Sequence, residues 1–420
     1  MTQAAFIRSS LILVAALLGA ISPLQADNWP HWRGEAGNGV STTAHPPTQW
    51  SATKNVKWKV AVPGLGSGSP VIWQDQVFVT TAVGTGNEKA LDFKLFCYDR
   101  KTGAIRWQKT AVTATPHQGT HNTNGFASAS PCTDGELVYA HFGSRGLYCY
   151  TLTGELKWKR DDFPPMNTRN SFGEGSSPVL EGDKIIVPWD HEGQSFLYAL
   201  NKHTGKELWK TPRESATCWS TPLVVLHAGR KQIVMNGQGV ARAYDLETGK
   251  ELWHCAGQTE RPAASPVAAR DLVFVGSGFR GAYLGAFKLD GRGDLKGTKN
   301  VAWEIDRDTP DVGSLLLSGG RLYFYKEKVG VLTCVEAATG KRHYGPVRVP
   351  GLQAIYASPI AAGGHIYLTS RNGTTVVIQD SDKFEVVATN SVDETVDATP
   401  APVDRELFIR GEKHLFCIAE

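Results

Sequence analysis

The chain has 420 residues, and its 44 Lys plus Arg against 41 Asp plus Glu leave a formal charge of +3, a near-balance that offers no electrostatic footprint for nucleic acid. Hydrophobic residues at 41% and charged residues at 20% exclude an intrinsically disordered chain, while 44 Gly and 22 Pro demand frequent turns. The length suits several small domains or one large all-β toroid, so internal repeats decide the architecture.

Residues 1–26 read as a secretory signal peptide. Arg8 precedes an apolar run from Leu11 to Ala20, and Ser22, Pro23 and Ala26 follow, with cleavage expected after Ala26. About ten apolar residues fall well short of the roughly 20 that span a bilayer, and no later run reaches that length, so no membrane span is expected. The mature protein is expected in the periplasm or outside the cell, as a monomer. The first cysteine is Cys97, which leaves no lipid-attachment cysteine at the cleavage point.

Residues 27–49, including Trp29-Pro30-His31-Trp32-Arg33-Gly34, form a lead-in expected to pack on the surface of a repeat array. In that array, from residue 50 to 420, one unit recurs: Ser-Pro-Val, a turn, an alternating Val/Ile/Phe strand, a second strand ending near Asp, and Thr-Gly-Lys-x-x-Trp. Its clearest copy opens at Ser177-Pro178-Val179 and closes at Thr204-Gly205-Lys206-Glu207-Leu208-Trp209. Openings recur at Pro70, Pro131, Pro178, Pro222, Pro266, Pro359 and Pro400, with Gly313-Ser314 in the corresponding place once, which makes eight. The closing aromatics are Trp58, Trp107, Trp158, Trp209, Trp253, Trp303 and Tyr344, spaced 41 to 51 residues apart, and a period in this range belongs to propellers and related arrays.

Each piece has a physical reason. Period-two alternation presents one strand face to the neighbouring blade, and Gly in the Thr-Gly step supplies the positive φ of a tight hairpin. Pro suits the first residue of a strand, where no ladder donor is lost. Val56-Lys57-Trp58-Lys59-Val60 is a closing strand that precedes any opening, and the last unit stops before its own. The N-terminal strand is therefore expected to complete the last blade, giving a single all-β, eight-bladed β-propeller of four-stranded antiparallel blades.

Seven cysteines are an odd number. Cys97, Cys149, Cys334 and Cys417 occupy a slot that holds Ala199, Ala243 or Ala286 in sister units, so they are expected to act as small buried hydrophobes. Asp290-Gly291-Arg292-Gly293-Asp294 interrupts the fifth unit and reads as a long outer loop.

The Leu-x-Ala-x-Asp-x-x-Thr-Gly-Lys-x-x-Trp pattern resembles the PQQ-like (pyrroloquinoline quinone-type) β-propeller repeat family, and Trp29 to Gly34 with Gly39-Val40-Ser41 resembles its exported planctomycete-type branch. The resemblance covers essentially the whole mature chain and implies the fold. It implies two functions. Quinoprotein alcohol dehydrogenases hold PQQ and Ca²⁺ in the funnel, whereas BamB is a lipoprotein scaffold of outer-membrane β-barrel assembly. The adjacent cysteines of the first and the lipobox of the second are both missing here.

Segments just before each opening should form the rim of the central funnel. They supply His117, His121, Asn124, Arg169, Glu174, Trp219, Arg261, Asp308, Asp311, Tyr356 and Asp397 as candidate ligand-binding residues. His117 and His121 lie four apart in loop sequence, so that spacing carries no helical metal geometry; no metal is expected. Asp308 and Asp311, near Arg307, read as ion-paired in preference to calcium-binding. Trp219 is either a stacking platform or a plug of the channel. The expected function is binding or scaffolding in the cell envelope, with an envelope protein, glycan or small molecule at the rim. The alternative is a PQQ-dependent dehydrogenase using Glu174, Asp308 or Asp397 as carboxylates and Arg169 or Arg261 as clamps, since guanidinium pairs bidentately with carboxylate.

Overall fold

The computed structural model describes residues 27–86, 89–326 and 328–420. The secretory leader expected over residues 1–26 lies outside them. Among the described residues no helix is long and apolar enough to cross a membrane.

Eight antiparallel sheets follow one another around a ring. Blades 1 to 7 each run from the axis outward in chain order, with innermost strands Val71–Trp73, Cys132–Thr133, Val179–Glu181, Leu223–His227, Val267–Ala269, Leu316–Ser318 and Ile360–Ala362. Blade 8 takes Ala401–Val403, Glu406–Arg410 and His414–Ile418 from the C-terminus and its outer strand, Val56–Ala61, from the N-terminus. The Gly313-Ser314 opening is thus a full blade start, and the expected closure is present. Arg100 of blade 1 strengthens this seam by pairing with Asp404 and Glu406 of blade 8, both at 2.6 Å.

Register explains the cysteine slot. Cys97, Cys149, Ala199, Ala243, Ala286, Cys334 and Cys417 each lie directly opposite the closing aromatic of their own blade: Trp107, Trp158, Trp209, Trp253, Trp303, Tyr344 and Trp58. Cross-strand partners share one face, so a small residue leaves room for the large ring. All seven cysteines are buried and free. The indole N–H of Trp58, Trp107, Trp158, Trp209 and Trp303 then donates at 2.8 to 3.1 Å to a carbonyl of the next blade, joining neighbours.

Two departures from the repeat are compensated. Blade 7 has Ala388 opposite Val377 in place of an aromatic, and Trp50 fills that seam, stacked 6.4 Å from Tyr367 and held by Asn390. After Trp253 the loop of residues 290–294 is not a free outer loop. Gly293–Asp294 pairs in parallel with Trp253 and His254 as a fifth strand on blade 4, and Leu289 and Leu295 bury the indole, whose N–H has no hydrogen-bond partner among the described residues.

A second ring lies at the axis. The backbone N–H of Ser69 donates to the Ser130 hydroxyl, Ser130 to Ser177, and so on through Thr221, Ser265, Ser314, Ser358 and Thr399, in seven links of 2.8 to 3.1 Å. The Ser or Thr of each opening therefore takes part in an inter-blade bond, and the sixth opening, which has Leu315 in place of proline, still supplies Ser314.

Candidate functional site

The hydroxyl ring encloses an axial cavity of ≈ 260 Å³. One end is closed by the lead-in, which packs on the propeller as expected and also crosses the axis. It crosses the face carrying the inner hairpins, pairing Trp29 with Ile72 of blade 1 and Val40 with Ala361 of blade 7. Arg33 is fully buried and donates to the Asn38 and Leu315 carbonyls. Those contacts hold Trp32 at the end of the channel, where its ring lines the cavity.

The other end is built by the loops that precede the openings, joined by Lys328 from a loop within blade 6. His121, Thr123, Asn124, Phe172, Trp219, Lys328, Tyr356 and Asp397 line it. Trp219 is fixed at both ends of its residue: its backbone N–H donates to Pro262 and its indole N–H to Gly173 at 2.7 Å. It walls the cavity without plugging it. Tyr356 sits between two cations, with Lys328 Nζ 4.8 Å and the Arg371 guanidinium 5.4 Å from its ring centroid. Its hydroxyl accepts from Thr123 at 2.9 Å.

Asp397 is the carboxylate of the cavity. Burial raises its pKa to about 6, against the opposing pull of Arg371, whose Nη1 is 3.3 Å from Oδ2. Its other oxygen, Oδ1, has no hydrogen-bond partner among the described residues. Burial and the Lys328 and Arg371 charges lower the pKa of His121. Both positive neighbours and desolvation disfavour imidazolium there, so the ring presents a neutral face.

Not every candidate residue reaches this cavity. His117 and Glu174 lie in a separate side chamber behind Trp219, with His141 and Phe142. Arg145 donates to His117 Nδ1 at 2.7 Å, so Nε2–H donates to the Met166 carbonyl, also at 2.7 Å. Glu174 accepts from Ser144 N–H and Oγ–H, and its burial raises its pKa despite them. Arg169 and Arg261 stand at the lip. Arg169 is exposed and 3.5 Å from Glu192, while Arg261 is stacked on Phe172 and Phe279. Asp308 pairs with Lys326 at 3.0 Å, away from the lining of the axial cavity, and Asp311 lies near Arg261. Among the expected residues, His121, Asn124, Trp219, Tyr356 and Asp397 converge.

Trp32, Phe172, Lys328 and Arg371 were missed by sequence reasoning. The last two follow blade strands within blades 6 and 7 instead of preceding an opening, so the rule that found the others passes over them. Trp32 belonged to a motif that stood outside the repeat.

A family model described as outer membrane protein assembly factor BamB, built on the PQQ-type repeat, matches residues 40–171 and 152–389. The chain belongs to this BamB-type PQQ-repeat family. A comparison with curated protein sequences gives no match. Among solved structures, BamB from Moraxella catarrhalis is similar, with a TM-score of 0.58 at 13% identity over 87% of this chain and 97% of that one. A europium-containing methanol dehydrogenase gives 0.63 at 11% over 92% and 90%. Quinohemoprotein alcohol dehydrogenase from Comamonas testosteroni gives 0.63 at 12% over 94% and 80%. At these identities the likeness is one of fold.

Within the family, the donor set of this chain does not fit calcium-bound PQQ. Among the described residues Asp397 is the carboxylate facing the axial cavity, and no group of three His, Cys, Asp or Glu is gathered for a metal. The Asn124 amide is spent on Gly125, Ser128 and the Phe172 carbonyl. Glu174 and Asp308 are held elsewhere.

Proposed function

We propose that this PQQ-repeat propeller is an exported binding protein of the cell envelope that holds a small polar organic ligand, or the end of a glycan, in its axial cavity. The observation that carries the reading is the blind shape of that cavity. It is closed by Trp32, walled by Phe172, Trp219 and Tyr356, girdled by serine and threonine hydroxyls, and provided with a few convergent polar groups. Apolar walls with sparse, fixed polar groups are the usual make-up of a small-molecule site. Aromatic faces suit the C–H faces of a ring, and hydroxyls suit its polar edge.

The leader expected at residues 1–26 and the family relationship support placement in the envelope. Fractionation of cells expressing the full chain tests this half of the proposal; a chain retained in the cytoplasm would refute it. The binding half is tested by titrating the purified protein with mono- and disaccharides while following tryptophan fluorescence. Saturable binding that Trp219→Leu and Tyr356→Ala each weaken by about tenfold, at unchanged melting temperature, is expected from the loss of a packed aromatic face. Binding indifferent to both substitutions would place the ligand elsewhere.

A further inference from the structure

The lip of the cavity carries a guanidinium held by aromatic rings. Arg261 lies in the loop before blade 5 with a left-handed backbone (φ 49°), a region that side-chain-bearing residues seldom occupy and that collects at functional sites. Its guanidinium carbon is 3.9 Å from the Phe279 ring centroid and 5.3 Å from that of Phe172. Phe172 is a wall of the axial cavity and takes the edge of His121 at 4.8 Å on its own ring. The guanidinium is thus set in place by two phenyl rings, one of them shared with the cavity.

Stacking occupies the faces of a guanidinium and leaves its N–H fork in the plane. Among the described residues Arg261 makes these ring contacts and no hydrogen bond or ion pair. Burial first, and then the charges of Arg280 and Arg169, lower its pKa against the opposing pull of Glu260 and Asp311. Both supporting arginines are exposed and loosely paired, Arg169 with Glu192 at 3.5 Å and Arg280 with Glu260 at 3.7 Å, and water or a ligand displaces such pairs at little cost. Across the mouth Lys328 and Arg371 flank Tyr356.

We infer that the lip binds an oxyanion carried by the axial ligand, a carboxylate, sulfate or phosphate group taken in the plane of Arg261 with Arg169 and Arg280 in support. This rests on the axial-cavity reading and names its ligand class: a polar ring with an anionic substituent. Arg280 and Arg169 repel Arg261 in the empty protein, and an anion bound in the plane of the Arg261 guanidinium offsets that repulsion. A fork held flat by aromatic stacking has also surrendered its rotamer freedom before the anion arrives.

Matched probes test the inference by isothermal titration at low salt: glucuronate against glucuronamide, and glucose 6-sulfate and glucose 6-phosphate against glucose. The anionic member should bind about 10 to 100 times more tightly in the wild type, the range of a charge-assisted pair, and the three anions reveal which oxyanion is preferred. Arg261→Met, which keeps the bulk between the rings, should erase that preference at an unchanged melting temperature. Equal wild-type affinity within every pair overturns the inference, as does a preference that survives Arg261→Met. Neutral binding that Trp219→Leu abolishes, without anionic preference, sinks the inference alone. Anion binding that Arg261→Met abolishes and Trp219→Leu does not touch sinks the axial reading alone, and no binding by any probe sinks both.

Discussion

Gly205 in the Thr-Gly turn of blade 3 lies against Trp158 of blade 2, so close that a Cβ on it would stand 2.6 Å from the indole Cε3. The same glycine has a φ of 69°. One residue therefore meets two demands, a hairpin conformation and a seat for the neighbouring blade's ring. Gly205→Ala should incur about 1–2 kcal/mol from the backbone and about 1–3 kcal/mol from overpacking. Gly229, at φ 76° with open space around it, isolates the first cost. In thermal denaturation Gly205→Ala should fall clearly below Gly229→Ala; equal losses would deny the indole seat an energetic role.

The axial hydroxyl ring is a second test of repeat logic. Ser130 accepts the Ser69 amide and is almost fully buried. Ser130→Ala leaves that amide without its acceptor, at a cost of about 1–3 kcal/mol. Ser130→Thr should be nearly neutral, because Thr221 and Thr399 perform the same task in their blades. Melting curves of the two variants decide the matter; an Ala variant as stable as Thr would mean water replaces the hydroxyl.

These two relationships show what was legible in the sequence. Thr-Gly, the closing Trp and the small residue opposite it are local requirements of a blade, so their recurrence averages out the noise and the ring could be counted. The N-terminal closing strand was legible because Trp58 is a closing aromatic without an opening before it. The site was less legible, for a physical reason. It is made by loops that differ from blade to blade, and loop contacts such as Glu174 with Ser144 or Asp308 with Lys326 carry no period. Trp32 lies in a segment that crosses several blades, and only the folded ring brings it to the axis.

The pH dependence of stability should carry a signature of Asp397. Burial raises its carboxyl to about 6, above the value it has in the unfolded chain. A raised acid contributes stability that is present below the unfolded pKa and lost as pH rises through the folded one. Between about pH 4 and 6 the wild type should thus lose, relative to Asp397→Asn, about 2–3 kcal/mol, an upper figure for a group that retains some solvent contact. His141 has the opposite sign: burial lowers it to about 4, so its contribution is lost as pH falls from 6.5 towards 4. Denaturant titrations of Asp397→Asn and His141→Phe across this range separate the two; parallel profiles for wild type and Asp397→Asn would refute the assignment.

Thiol chemistry should divide sharply with folding. The seven cysteines are buried, and desolvation pushes Cys97, Cys149, Cys218 and Cys334 up to about 12. Thiolate is the reactive form, so the native protein should react with less than one equivalent of a thiol reagent at pH 8, and the denatured protein with all seven. A denatured count below seven would reveal a disulfide that the geometry does not contain.

Ring closure itself can be probed at Glu406, which accepts from Arg100 of blade 1 at 2.6 Å and from Lys57 of the N-terminal strand at 2.5 Å. The side chain is mostly buried and compensates both Lys57 and, together with Asp404, Arg100. Glu406→Gln removes the charge while keeping the shape, leaving Arg100 with Asp404 alone. Breaking a pair of this kind costs more than the pair contributes, because the cation stays behind in a poorly solvated site. The weakened element should be the strand Val56–Ala61, whose ladder to His414–Ile418 is the point where two distant chain segments meet. Amide hydrogen exchange at Val56 to Ala61 should accelerate by about tenfold or more, while strands of blade 4, on the far side of the ring, keep their rates. Uniform acceleration around the ring would instead mean that the blades open together and that the N-terminal strand is no weaker than any other seam.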